Sequence, residues 1–193
     1  MDIDLFNLLQ RFRELNDFDN ETAFFRTNVP WEGPQAYLHT IYRPAPNELL
    51  AQVAAKLRFP TPVFEFLSRH NGAILFSGGL SVYGVVEPGS LLRRDNGFAL
   101  PPFNIEGANK FWSVDPERLL VIGTYYFDSS QACIDRSTGR IFYFKKDQKT
   151  PEFSWPSFDS WLREEIARLC SLFDTDGKIL VPVSETVPDG KGV

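Results

Sequence analysis

The side chains best equipped for chemistry are few and scattered along the chain. His39 and His70 are the only histidines, and neither stands at a spacing that would pair it with a cysteine, an aspartate or a second histidine around a metal. His70 ends a helix-like run, where an imidazole meets the last carbonyls, so a structural role is expected of it. A serine, a histidine and an aspartate could be gathered from almost any chain, but no G-x-S-x-G turn marks a nucleophile. "DTDGKILVPVSE", from Asp174 to Glu185, carries acidic residues at positions 1, 3 and 12 of a calcium loop, yet Lys178 stands fifth and Ile179 stands sixth, where glycine is required. Asp176-Gly177 reads instead as a turn. Ser77-Gly78-Gly79 lacks the lysine and following helix of a phosphate-binding loop and reads as a hairpin turn. Asp128 and Asp135 could form an acid–base pair, but Asp135 opens "DRSTG", where a short side chain bonding its own backbone is favoured. No catalytic residue, metal ligand or cofactor is therefore expected.

Aromatic residues are the more suggestive population. Trp31, Tyr37, Tyr42, Phe103, Phe111 and Trp112 fall in irregular segments, and large amphipathic rings concentrate at interface hot spots. The plainer alternative is that they cover the ends of the core. If the chain has a partner-binding surface, it is expected on the long connection 87–118 and its surroundings, with Glu106, Trp112, Asp115, Glu117 and Asp128 as contacts.

Bulk properties narrow the classes further. With 25 acidic against 20 basic residues and a net charge of -5, the 193-residue chain lacks the cationic excess of a nucleic-acid binder and suits a basic protein partner. Cys133 and Cys170 are too few for a disulfide framework and are expected to be buried, reduced thiols. Asp2 and Asp4 stand where a secretory signal would be positive, and no apolar run approaches a membrane span of about 18 residues. A cytoplasmic protein without membrane contact is expected.

The elements follow from periodicity. Leu5, Leu8, Leu9, Phe12 and Leu15 predict an amphipathic helix from Asp4 onward. Residues 16–46 read as an aromatic structured loop or short-strand region. Asn47 is expected to cap a helix ending near Pro60, and Thr61 a second helix with Pro62 at its first position, closed by Asn71 or Gly72 in the left-handed conformation. "LSVYGVV" reads as a strand, and "LLVIGTYYF", "QACID" and "RIFYF" as an antiparallel meander, since such short breaks cannot carry a parallel crossover. Ser157 should cap a last helix on which Phe158, Trp161, Leu162, Ile166 and Leu169 share a face and Glu164 precedes Arg168 by four; "KILVPV" follows as an edge strand. The fold class is α+β, a largely antiparallel β-sheet with helices packed against it. Residues 1–193 form a single domain: 1–44 an N-terminal helix and aromatic loop, 45–165 the core, 166–183 the helix end and edge strand, 184–193 a flexible tail.

Three stretches in this order carry a resemblance: "APNELLAQVAAKLRFPTPVFEFLSRHNGA", "LLVIGTYYFDSSQACIDRSTGRIFYF" and "SFDSWLREEI". Together they resemble the SUKH superfamily, which includes fungal cell-wall-synthesis regulators and bacterial toxin-immunity proteins, over roughly residues 45–165. The resemblance implies a binding surface rather than an active site: a bacterial immunity protein that neutralises a toxin domain, a nuclease among the candidates, by direct binding. The alternatives are a regulatory or scaffold module of the cell-wall-synthesis-regulator type and an uncharacterised hydrolase.

Overall fold

The computed structural model describes residues 4–87, 101–112 and 114–189. Its strands are short because turn residues interrupt every apolar run: β1 Phe18–Asp19, β2 Ala23–Asn28, β3 Tyr37–Tyr42, β4 Ala73–Leu75, β5 Leu80–Val82, β6 Leu119–Tyr125, β7 Ser130–Asp135, β8 Ile141–Phe144 and β9 Phe153–Trp155. Among the described residues they build one nine-stranded antiparallel sheet in the order β1 to β9, each strand beside its neighbour in sequence. Among the described residues five α-helices accompany it: α1 Leu5–Leu8, α2 Asn47–Leu57, α3 Thr61–Leu67, α4 Ile105–Phe111 and α5 Phe158–Ser171. The α+β class is as expected.

The meander of β6, β7 and β8 is set by its turns. Asp128 Oδ1 accepts from the Ser130 N–H at 2.9 Å, and Asp135 Oδ1 accepts from the Ser137 N–H at 2.8 Å and the Thr138 N–H at 3.1 Å, so each aspartate closes its own turn. On one face lies α5, begun by a reciprocal cap in which Ser157 Oγ accepts from the Ser160 N–H and Ser160 Oγ from the Ser157 N–H. Its Phe158, Trp161, Leu162, Ile166 and Leu169 are buried. Trp161 Nε1 donates to Tyr125 Oη at 3.1 Å, and its ring lies over Gly123, where a Cβ would stand 3.2 Å from the indole and 2.6 Å from Ser81 O. A bulge between Val121 and Gly123 makes room for this contact.

Two asparagines act as surrogate strand residues. Asn71 accepts from the Val85 N–H at 2.8 Å and donates to Val85 O at 2.9 Å. Asn109 does the same to Val121, accepting at 2.8 Å and donating at 2.9 Å. Both pair backbone that strands leave open. The Asn71-Gly72 junction is closely fitted: Gly72 has φ 87°, and a Cβ on the facing Gly84 would lie 2.2 Å from Asn71 O.

Several expectations need correction. The helix from Asp4 spans only Leu5–Leu8, with Asp4 as its cap. Beyond it the backbone is drawn to the C-terminal segment, the Arg13 N–H reaching Thr175 O at 2.9 Å, while Leu5, Leu9 and Phe12 stay buried. Asn47 and Thr61 are the first residues of their helices, not the caps; Pro46 and Pro60 hold the cap positions with no side-chain bond. Of the two readings of residues 16–46, the short strands are found, as β1, β2 and β3. The 87–118 connection contains α4, and its residues 88–100 lie outside those described. "KILVPV" forms no strand: Ile179 makes one bridge to Phe173, and Pro182 leads into a 3-10 turn at Val183–Thr186. Arg168 forks onto Glu165 at 3.1 and 2.8 Å. It is therefore Glu165, not Glu164, that pairs with it in the helix. Cys133 and Cys170 are free, buried thiols, as expected.

Candidate protein-interaction surface

Four of the five expected contact residues lie around α4, though not as one acidic face. Glu106, in the first turn of α4, pairs with Lys56 in the last turn of α2, and Glu117 pairs with Arg58, the left-handed residue that ends α2. Asp115, at φ 45°, bonds its own turn at the Arg118 N–H, and the Arg118 guanidinium meets the buried Asp135 at 2.6 Å. Arg136 threads between them, donating to the carbonyls of Leu57, Pro116 and Leu119. Glu106, Asp115, Glu117 and Asp135 are thus interleaved with Lys56, Arg58, Arg118 and Arg136, and the local charge is balanced. The hydrogen bond and charge of Arg58 hold the Glu117 carboxyl below its ordinary range. Burial opposes ionisation of Asp135, but bonds from Ser137 and Arg118 outweigh it and hold that carboxyl low.

Trp112 caps the end of α4, half-buried, with its ring edge-on to Phe144 at 5.2 Å. It lines a cleft of about 420 Å³ with Val114, Lys146, Lys149 and Phe111, which is 83% exposed. Asp128 stands apart, at the β6–β7 tip. Of the loop aromatics, Tyr42 is buried in a small second core with Ala23 and Phe25, and Tyr37 packs against it.

Exposed residues that the sequence reading did not single out lie beside Asp128. Tyr126 is 72% exposed and Phe127 52%; with Val183 at 53% they line an apolar cleft of about 230 Å³ floored by Phe76, Gly78 and Phe173, with the exposed Glu32 on its rim. The run Tyr125-Tyr126-Phe127 held the signal, because side chains alternate along a strand and three successive rings cannot all face one core. The floor is strained: Phe76, Ser77 and Gly78 are successively left-handed at φ 55°, 52° and 95°. The Tyr126 N–H bonds Gly78 O at 3.2 Å and joins the two turns. The far wall is pinned by Arg168, which donates to Thr186 O at 2.7 Å while paired with the buried Glu165. No lysine or arginine lines this cleft among the described residues.

A polar cleft of about 570 Å³ lies under α1, lined by Phe6, Arg26, His39, Glu14 and Asp17. Its charges satisfy one another, Arg26 meeting Glu14 at 2.9 Å and Asp17 at 2.6 Å. Burial, reinforced by Arg26, lowers the His39 pKa to about 3, so its ring is neutral near pH 7. Among the described residues no three His, Cys, Asp or Glu side chains cluster to hold a metal, and no helix is long and apolar enough to cross a membrane.

A family model, the SMI1 / KNR4 family (SUKH-1), matches residues 44–164. The chain belongs to this family. No curated protein matches it. SUKH-1 proteins are protein-interacting modules, in general non-catalytic, serving at the family level as immunity or regulatory components. The matched span runs from just before α2 into α5, so the SUKH-1 frame supplies β4 to β9, both asparagine pairings and the Tyr126-Phe127 tip. It does not include β1 to β3, α1 or the C-terminal wall of the apolar cleft.

Proposed function

We propose that this SUKH-1 chain is a non-enzymatic immunity protein that acts in the cytoplasm and neutralises a cognate toxin domain by direct, stoichiometric binding. Membership of a family of protein-interacting immunity and regulatory modules carries the reading. The net charge of -5 supports a basic partner, such as a nuclease whose substrate face must attract phosphate. Of the expected contacts, Asp128 is proposed to touch the partner, beside the exposed rings of Tyr126 and Phe127. Glu106 and Glu117 are paired with Lys56 and Arg58, and Asp115 bonds its own turn, so these three contribute only slightly to attraction of the partner. Trp112, packed on Phe144, lines a separate cleft with Phe111.

The test is co-expression with the toxin domain encoded beside this gene. Cells survive and a one-to-one complex purifies if the reading holds. Death of the co-expressing cells, or absence of a complex, removes it in favour of a regulatory scaffold. In a surviving complex, Glu106→Gln and Glu117→Gln should lower the association rate and its salt dependence slightly and leave dissociation unchanged.

A further inference from the structure

We infer that the apolar cleft between the β4–β5 turn, the β6–β7 tip and the C-terminal segment seats an apolar anchor side chain projecting from a basic surface of the toxin. This rests on the immunity reading above. Three independent observations meet in the cleft. Tyr126, Phe127, Leu180 and Val183 are each more than half exposed although each is a large apolar side chain, and Tyr126, Phe127 and Val183 line one concavity. Scattered exposed apolar residues need no explanation, but grouped ones around a concavity mark a contact site.

The second observation is strain. Phe76 and Ser77 are not glycine, yet both hold left-handed backbone on the cleft floor. Such conformations persist where surrounding structure over-determines them, and they concentrate at binding sites. Here the strained turn is fixed by the Tyr126 N–H to Gly78 O bond and by the Phe76 N–H donating to His39 Nδ1 at 3.4 Å. The floor is therefore formed before any partner arrives, which removes an ordering penalty from binding.

Charge and origin supply the third. Glu32 lines the rim, Asp128 follows Phe127, and Glu185 lies two residues beyond Val183, while no lysine or arginine lines the cleft among the described residues: Arg168 is committed to Glu165 and to the carbonyls of Glu185 and Thr186, Arg11 donates to the Phe173 carbonyl, and Lys178 precedes the lining Ile179. An apolar centre within an acidic rim matches an apolar anchor within a basic one. The β4–β5 turn and the β6–β7 tip belong to the family frame, whereas Glu32, Phe173, Ile179, Val183 and Thr186 come from segments flanking the matched residues. The cleft is thus built partly from the matched frame and partly from the segments flanking it.

The experiment measures binding of the purified toxin domain encoded beside this gene, with the melting transition of each variant confirming its fold. Tyr126→Ala and Phe127→Ala should each weaken binding roughly thirtyfold or more through faster dissociation. Val183→Arg should weaken it more than Val183→Glu at low salt, since both fill the cleft and only the arginine repels a basic partner. Phe111→Ala and Glu117→Gln should leave the dissociation rate unchanged. Parental dissociation rates for Tyr126→Ala and Phe127→Ala overturn this surface and leave the immunity reading standing. A greater loss with Val183→Glu than with Val183→Arg overturns the basic partner. Failure of the unmodified protein to bind removes the function and the surface with it. A concentration-dependent dimer abolished by Tyr126→Ala shows the occupant to be a second copy and likewise overturns the inference.

Discussion

His39 holds its ring between Phe12 and Phe76, accepts the Phe76 N–H, and finds no partner for Nε2 among the described residues. The unfolded chain protonates this imidazole near the ordinary value of about 6.5, whereas the folded chain resists until about 3. Between those values the unfolded state binds the extra proton. Stability from this group is therefore complete above about pH 6.5 and falls as the pH is lowered, by up to about 1.4 kcal/mol per pH unit. Burial lowers the His70 pKa as well, so the parent's slope contains both. Urea midpoints between pH 7 and pH 4.5 should show a shallower decline for His39→Gln, which keeps an acceptor for Phe76. At the Asn71-Gly72 junction, Gly84→Ala drives a methyl group into Asn71 O and should lower stability by about 3 kcal/mol or more in urea denaturation. The turn role of Asp135 was legible in "DRSTG"; the left-handed backbone of Phe76 and Ser77 was not, because neither residue type favours it and only tertiary contacts impose it.

At the scale of elements, α5 and the β6–β8 meander were legible because local signals and burial agree: a serine cap before a 3.6-residue stripe, and apolar runs broken by aspartate turns. The α1 region was misread for a physical reason. Its Leu5, Leu9 and Phe12 are buried as the stripe implies, but burial is reached by a bent chain whose amides bond to the C-terminal segment. The α4 helix escaped notice because its seven residues bury only Ile105 fully, and its anchor is a polar one, the Asn109 amide against Val121. Asn109→Ala should therefore cost about 1–3 kcal/mol and hasten hydrogen exchange at the Val121 amide well beyond that of its β6 neighbours. Arg168 ties α5 to the segment that follows it. Arg168→Gln leaves the Glu165 carboxylate buried without its cation, and should lower stability by roughly 3 kcal/mol and open residues 178–189 to limited proteolysis.

The described residues share one sheet whose core is completed by the segment around α1: Leu5, Leu9 and Phe12 sit in the same core as Trp161 and Leu169. Removal of residues 1–15 should consequently abolish the cooperative thermal transition, read by near-ultraviolet circular dichroism, although the family match begins only at residue 44. The candidate surface was half legible at this scale. Asp128 lies at one tip of the proposed cleft, but the cleft draws on Glu32, Phe76, Tyr126 and Val183, and proximity among residues so distant in sequence is a property of the folded sheet. The same sheet has a consequence in time. Every strand lies beside the one made just before it, and long gaps occur only where α2 and α3, and then residues 83–118, intervene. A ribosome releasing the chain from its N-terminus would deliver each partner as it is needed, so most loops close cheaply. Trp161 and its neighbours come after every strand. Until Phe158–Ser171 emerges, the finished ladder lacks the Trp161 indole that bonds Tyr125, and a chain stalled before that point has its strand pairings but not the helix that packs on them.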